Sequence, residues 1–158
     1  MRKLVFASLV ACMLALTSAL SIASVSATSN ENEPLRCHME IDVYWTPTPP
    51  HWIGTITGDI TGTIEFWEGP AKLVGNVDHF SETFIIKTSD GIITGYDLGL
   101  YNFNTFKFRA NGWVTGAEPA DGPLAYLVGY KFFEIGTTTT FIVGEPVHGT
   151  ADMMLVAP

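Results

Sequence analysis

The sequence predicts an all-β domain, best arranged as a closed antiparallel eight-stranded barrel, with a two-sheet β-sandwich as the alternative. Three observations carry this. Apolar residues recur with a period of two along most of residues 36–158, and no helical period interrupts them. Short turn signals separate about eight such stretches. Glycine recurs inside the strand-like segments, in Gly-Thr-Ile-Thr-Gly at 54–58, Gly-Asp-Ile-Thr-Gly at 58–62, Gly-Ile-Ile-Thr-Gly at 91–95 and Gly-Trp-Val-Thr-Gly at 112–116. Glycine within strands marks the bends at which a sheet curls shut, which favours the barrel.

The elements follow in order. Cys37, Met39, Ile41, Val43 and Trp45 alternate with His38, Glu40, Asp42 and Tyr44, the pattern of a half-buried strand. The proline-rich stretch 46–50 ends it, because proline has no N–H for a ladder. Over 52–67, Ile56, Ile60, Ile64 and Phe66 share one face, with a bend or turn at Gly58-Asp59 and a stop at Glu68-Gly69-Pro70. Residues 77–88 place Phe80, Phe84 and Ile86 in phase, and Ser89-Asp90-Gly91 is a tight-turn signal. In 92–101 the apolar phase runs through Ile92, Tyr96, Leu98 and Leu100, and Asn102-Phe103-Asn104 turns the chain. Residues 106–114 set Phe106, Phe108, Ala110 and Val114 against Lys107, Arg109, Asn111 and Trp113. A loop over 117–123 precedes strands at 124–133, 138–143 and 149–156, with a turn at Gly144-Glu145-Pro146.

The start of the chain is of another kind. Arg2 and Lys3 precede an apolar run from Leu4 to Leu20, and Val25-Ser26-Ala27 satisfies the small-residue rule at a cleavage site. These are the three parts of a secretory signal peptide over residues 1–27, so the protein is expected to be secreted or held at the cell surface, starting near Thr28. Two alternatives stay open: an uncleaved anchor, and a lipid on Cys12 read from Leu9-Val10-Ala11-Cys12. Residues 28–35 read as a flexible lead-in, and 36–158 as a single domain.

Net charge is −8, and loss of Arg2 and Lys3 with the leader makes the exported chain more acidic. No Lys/Arg cluster reverses this locally, so nucleic acid is not an expected partner, nor is stable membrane insertion once the signal is cleaved. Cys37 would be the only cysteine left after cleavage, and its phase with Met39 and Ile41 reads as a small buried hydrophobe. No Asn-x-Ser/Thr acceptor occurs.

The glycine-punctuated strands, the run His79-Phe80-Ser81-Glu82-Thr83-Phe84 and the late Ala125-Tyr126-Leu127-Val128-Gly129-Tyr130 resemble the allene oxide cyclase-like and dirigent-like barrels. The resemblance covers about residues 36–158 and lies in texture, with no fixed motif. It implies a small antiparallel barrel with an apolar lumen, often trimeric, and steering of cyclisation or coupling of apolar small molecules. It carries over no catalytic position.

No nucleophile elbow, phosphate loop or dinucleotide fingerprint is present, and His38, His51, His79 and His148 form no close pair, so neither cofactor nor metal is expected. Tyr96, Phe108, Tyr126 and Tyr130 fall on faces read as apolar; they either fill the barrel or line a ligand cavity. Glu82 interrupts the apolar face Phe80, Phe84, Ile86. A bulge near Ser81 would turn it outward; a buried Arg or Tyr would pair it; otherwise it lines the lumen as a polar handle or general base, the one candidate catalytic residue. The expected function is a non-enzymatic barrel that binds an apolar small molecule or assembles with itself. The alternative is a cofactor-free cyclase or isomerase acting in the lumen.

Overall fold

The computed structural model describes residues 33–44, 51–140 and 146–158. The expected signal peptide, most of the lead-in, Trp45, the proline-rich loop and the stretch 141–145 lie outside the described residues. Among the described residues nine strands occur: β1 (Leu35–Tyr44), β2 (His51–Gly58), β3 (Gly62–Glu68), β4 (Lys72–Val74), β5 (Val77–Thr88), β6 (Ile92–Asn102), β7 (Lys107–Glu118), β8 (Lys131–Thr138) and β9 (Val147–Val156). Every pairing is antiparallel, and eight strands close a ring in the order β1-β2-β3-β5-β6-β7-β8-β9 through the β3–β5 and β1–β9 ladders. The protein is therefore a closed eight-stranded antiparallel barrel. β4 stands outside the ring and pairs only with the start of β5.

Closure follows from the alternation. Each strand sends every second side chain inward, and Met39, Ile56, Ile64, Phe84, Ile86, Phe132, Met153 and Leu155 are fully or almost fully buried there. Phe84 stacks on Phe132 with ring centroids 4.4 Å apart, and Phe66 meets both edge-on at 6.3 and 6.4 Å. This trio packs together inside the barrel. Each such ring contributes about 1.5–3 kcal/mol on burial. Cys37 is free and buried on the same inner face, and burial pushes its thiol pKa up. The Ser89-Asp90-Gly91 turn forms as expected: Gly91 has φ 143°, a value that disfavours any residue with a Cβ.

The bend expected at Gly58-Asp59 is present: residues 52–67 form two strands, and the chain turns over 59–61. Two expectations fail. Residues 124–130 are not strand: they carry a single 3₁₀ turn, Ala125–Leu127, whose Leu127 plugs the core, and the next strand spans Lys131–Thr138; half of the strand expected over 138–143 lies outside the described residues. The faces of β6 are also inverted. Ile93, Gly95, Asp97, Gly99 and Tyr101 point inward, while Tyr96 and Leu98 are 41% and 55% exposed. The cause lies on β5. A Cβ on Gly95 would fall 2.2 Å from the Phe84 ring, and one on Gly99 would fall 2.0 Å from the Phe80 ring. The β5 rings occupy the inner space that β6 leaves bare, so the polar-looking side of β6 is the buried one. Among the described residues no helix is long and apolar enough to cross a membrane.

Candidate functional site

The inverted face of β6 brings three carboxylates together. Glu82 on β5 lies directly opposite Asp97 on β6. Glu134 enters from β8, two strands further round, and the inner face of β7 between them offers only Gly112 opposite Asp97 and Ala110 opposite Glu134. A Cβ on Gly112 would lie 2.7 Å from the Asp97 Cβ, so the bare backbone is what leaves room for the acid. The three groups offer oxygens within 4.8 Å of one another, and all three residues are buried, Asp97 completely. Glu68, directly opposite Glu82 across β3–β5, continues the row and is half-buried.

The electrostatics of this cluster run one way. Burial raises the Asp97 pKa from its ordinary 3.8 to about 8. Burial, and then the charges of Asp97, Glu134 and Glu68, hold Glu82 well above the carboxylate range. Burial and Asp97 do the same to Glu134. Burial, with Asp78 nearby, also raises Glu68. Each group prefers its proton because a lone carboxylate is poorly solvated in low dielectric and repels its neighbours. Glu82 and Asp97 lie close enough that each perturbs the other's proton affinity. Both Asp97 oxygens and Oε2 of Glu134 have no hydrogen-bond partner among the described residues.

Of the three readings open for Glu82, the structure removes two. The β5–β6 register runs unbroken through Ser81, and the irregularity sits instead between Thr94 and Gly95 on β6. Glu82 therefore points inward. Its charged neighbours are acids, with neither arginine nor tyrosine among them.

The aromatic candidates do not converge. Phe108 is on the inner face, its ring against Gly136. Tyr96 stands on the outer wall, 5.8 Å from Trp113. Tyr126 is 58% exposed on the 3₁₀ turn, and Tyr130 packs against it and the core edge. Only Phe108 and Glu82 of the expected site residues share the lumen. Asp97 and Glu134 were missed. Asp97 alternates with Tyr96 and Leu98, which carry the apolar phase expected for this strand, and Glu134 alternates with Phe133 and Ile135; all four of these apolar residues are exposed.

Those exposed residues belong to a second feature. The outer faces of β6, β7, β8 and β9 form a groove of about 820 Å³ with walls of Leu98, Leu100, Phe133, Ile135 and Met154. Arg109 and Asn111 lie between these walls, the exposed carboxylate of Asp152 on β9 also lines the groove, and Pro70, His79 and Ser81 form one rim. That rim is fixed: Ser81 Oγ donates to the Pro70 carbonyl at 3.1 Å, and the Gly69 N–H donates to the Ser81 carbonyl. Leu98 and Ile135 are 55% and 64% exposed. Arg109 has no carboxylate partner among the described residues. Histidine–aspartate pairs lie on the outer β1–β9 seam instead, His148–Asp42 at 2.7 Å and His38–Asp152 at 3.1 Å.

Fold and site together define a small closed β-barrel with an acidic layer inside and an apolar groove outside. No protein-family model, no curated protein and no solved structure matches the chain.

Proposed function

We propose that the protein is an exported, non-enzymatic binding barrel that holds an apolar small molecule in the outer groove of β6–β9. The observation that carries this is the groove itself. Its volume of about 820 Å³ lies within the range of small-molecule sites, and its walls are large apolar side chains that a soluble barrel has no packing reason to expose. Arg109, without a carboxylate partner among the described residues, supplies a polar handle that favours a guest with an acidic or strongly polar head. The lumen is the less favoured location, because Phe66, Phe84 and Phe132 pack together inside it. That packing also weighs against a lumenal cyclase or isomerase. The resemblance to allene oxide cyclase-like and dirigent-like barrels is compatible with this reading through its apolar guests. Native mass spectrometry of the secreted protein tests it. The expected result is a chain carrying a retained apolar molecule that organic extraction removes. A ligand-free chain that assembles through the groove would replace the reading with self-association.

A further inference from the structure

We propose that Glu82, Asp97 and Glu134 form a binding site inside the barrel for one hard divalent cation of the size of Ca²⁺. The donor set is oxygen only. With neither histidine nor cysteine in the cluster, it suits Ca²⁺, Mg²⁺ or Mn²⁺ over zinc or copper. Three oxygens no more than 4.8 Å apart enclose a point from which metal–oxygen distances of about 2.0–2.6 Å are reached by small side-chain adjustments. The three carboxylates offer up to six oxygens in all. That number suits Ca²⁺, which takes 6–8 oxygens, better than Mg²⁺, which keeps several waters.

Independent of the clustering, the orphaned acceptors point to a cation. Asp97 is fully buried with both carboxylate oxygens unpartnered, and Glu134 is almost as buried with Oε2 unpartnered. Buried acceptors are nearly always satisfied, and carboxylates most of all. Among the described residues no lysine, arginine or histidine contributes to the electrostatics of any of the three. A structural ion pair is thus excluded as the reason for keeping them. The backbone is also shaped for the cluster, since Gly112 clears the space that Asp97 enters. The row Glu68, Glu82, Asp97 lies in register across β3, β5 and β6 and passes from a half-buried acid to a fully buried one.

The test uses full-length secreted protein stripped with a chelator, then dialysed. Ca²⁺, Mg²⁺ and Mn²⁺ are titrated in separate thermal-unfolding and calorimetric experiments, and the paramagnetic signal of Mn²⁺ counts bound ions. The expected result is one ion per chain and a rise in Tm of about 5 °C or more at saturating Ca²⁺, larger than with Mg²⁺. Asp97→Asn and Glu134→Gln keep the shapes and remove ligands; in each the Ca²⁺ response should fall below about a fifth of the wild-type rise. Glu40→Gln, on the outer face, should respond as wild type does. Should either lumen variant fail to fold, the other still decides. The proposal is overturned if wild-type protein shows no cation response, or if Asp97→Asn and Glu134→Gln respond as fully as wild type, which would place the ion on the acidic surface.

Discussion

Replacing Asp97 with asparagine should stabilise the metal-free protein at neutral and alkaline pH and do little in acid. The Asp97 pKa is about 8 in the fold against an ordinary 3.8. Between these values the folded state holds a proton that the unfolded state has lost. Stability is therefore fullest below about pH 4, falls as pH rises through the window, and levels off above about pH 8. At about 1.4 kcal/mol per pH unit, the window from 3.8 to about 8 sets an upper bound of about 6 kcal/mol for this group. The groups facing it are Glu82 from β5, Glu134 from β8 and, beyond Glu82, Glu68 from β3; β7 contributes only Gly112 and Ala110. All three acids have raised pKa values, so they share the same sign and titrate with Asp97 as a unit. Asparagine keeps the shape, donates N–H to its neighbours and does not ionise. Urea unfolding in chelator, followed by tryptophan fluorescence from pH 4 to 9, measures both proteins. The gap should be near zero at pH 4 and reach at least about 2 kcal/mol in favour of Asp97→Asn by pH 8. Parallel curves would show that Asp97 is not a buried, uncompensated acid.

Gly112→Ala should destabilise the barrel by about 1–3 kcal/mol, read in the same urea assay, because its Cβ would sit 1.8 Å from the Tyr96 carbonyl oxygen. An unchanged midpoint would mean that β6 and β7 are not so closely apposed. Native Cys37 should react with a thiol reagent at least about a hundredfold more slowly than in urea, since it is buried with a raised pKa; equal rates would contradict the β1 register. The intact mass of exported protein should correspond to a chain starting at Thr28 without lipid. A chain that retains residues 1–27 would support the uncleaved anchor instead.

The barrel was legible because most strands obey a simple rule, with apolar residues inward and polar residues outward. β1, β3, β5 and β7 follow it, and their inner faces match the expected ones. β6 and β8 break it in both directions. Their inner faces carry Gly95, Asp97, Gly99, Glu134 and Gly136, and their outer faces carry Tyr96, Leu98, Phe133 and Ile135. A single strand read alone cannot reveal that Phe80 and Phe84 of a neighbour fill the space over its glycines. Both candidate features arise from this inversion, which places acids inside and leaves leucine and isoleucine outside. The one visible trace was Glu82, an acid in phase with the otherwise apolar face of Phe80, Phe84 and Ile86. Its partners come from β6 and β8, and the alternation on those strands hid them. Residues 124–130 were misread for another reason. Their apolar content suits a strand, but Leu127 is used as a plug at one end of the barrel rather than as part of its wall.

The central claim, that the outer groove is the binding surface, is tested most directly by titrating an anionic apolar fluorophore such as anilinonaphthalene sulfonate into wild-type, Ile135→Asp, Leu98→Asp and Phe108→Leu proteins. Ile135 and Leu98 are groove walls and largely exposed, so aspartate there should leave the fold intact; Phe108 is buried inside the barrel. The account predicts at least about tenfold weaker binding in the two aspartate variants, a loss of about 1.4 kcal/mol each, and an unchanged affinity in Phe108→Leu. Full binding in Ile135→Asp and Leu98→Asp, with loss in Phe108→Leu, would move the ligand into the lumen and contradict the account.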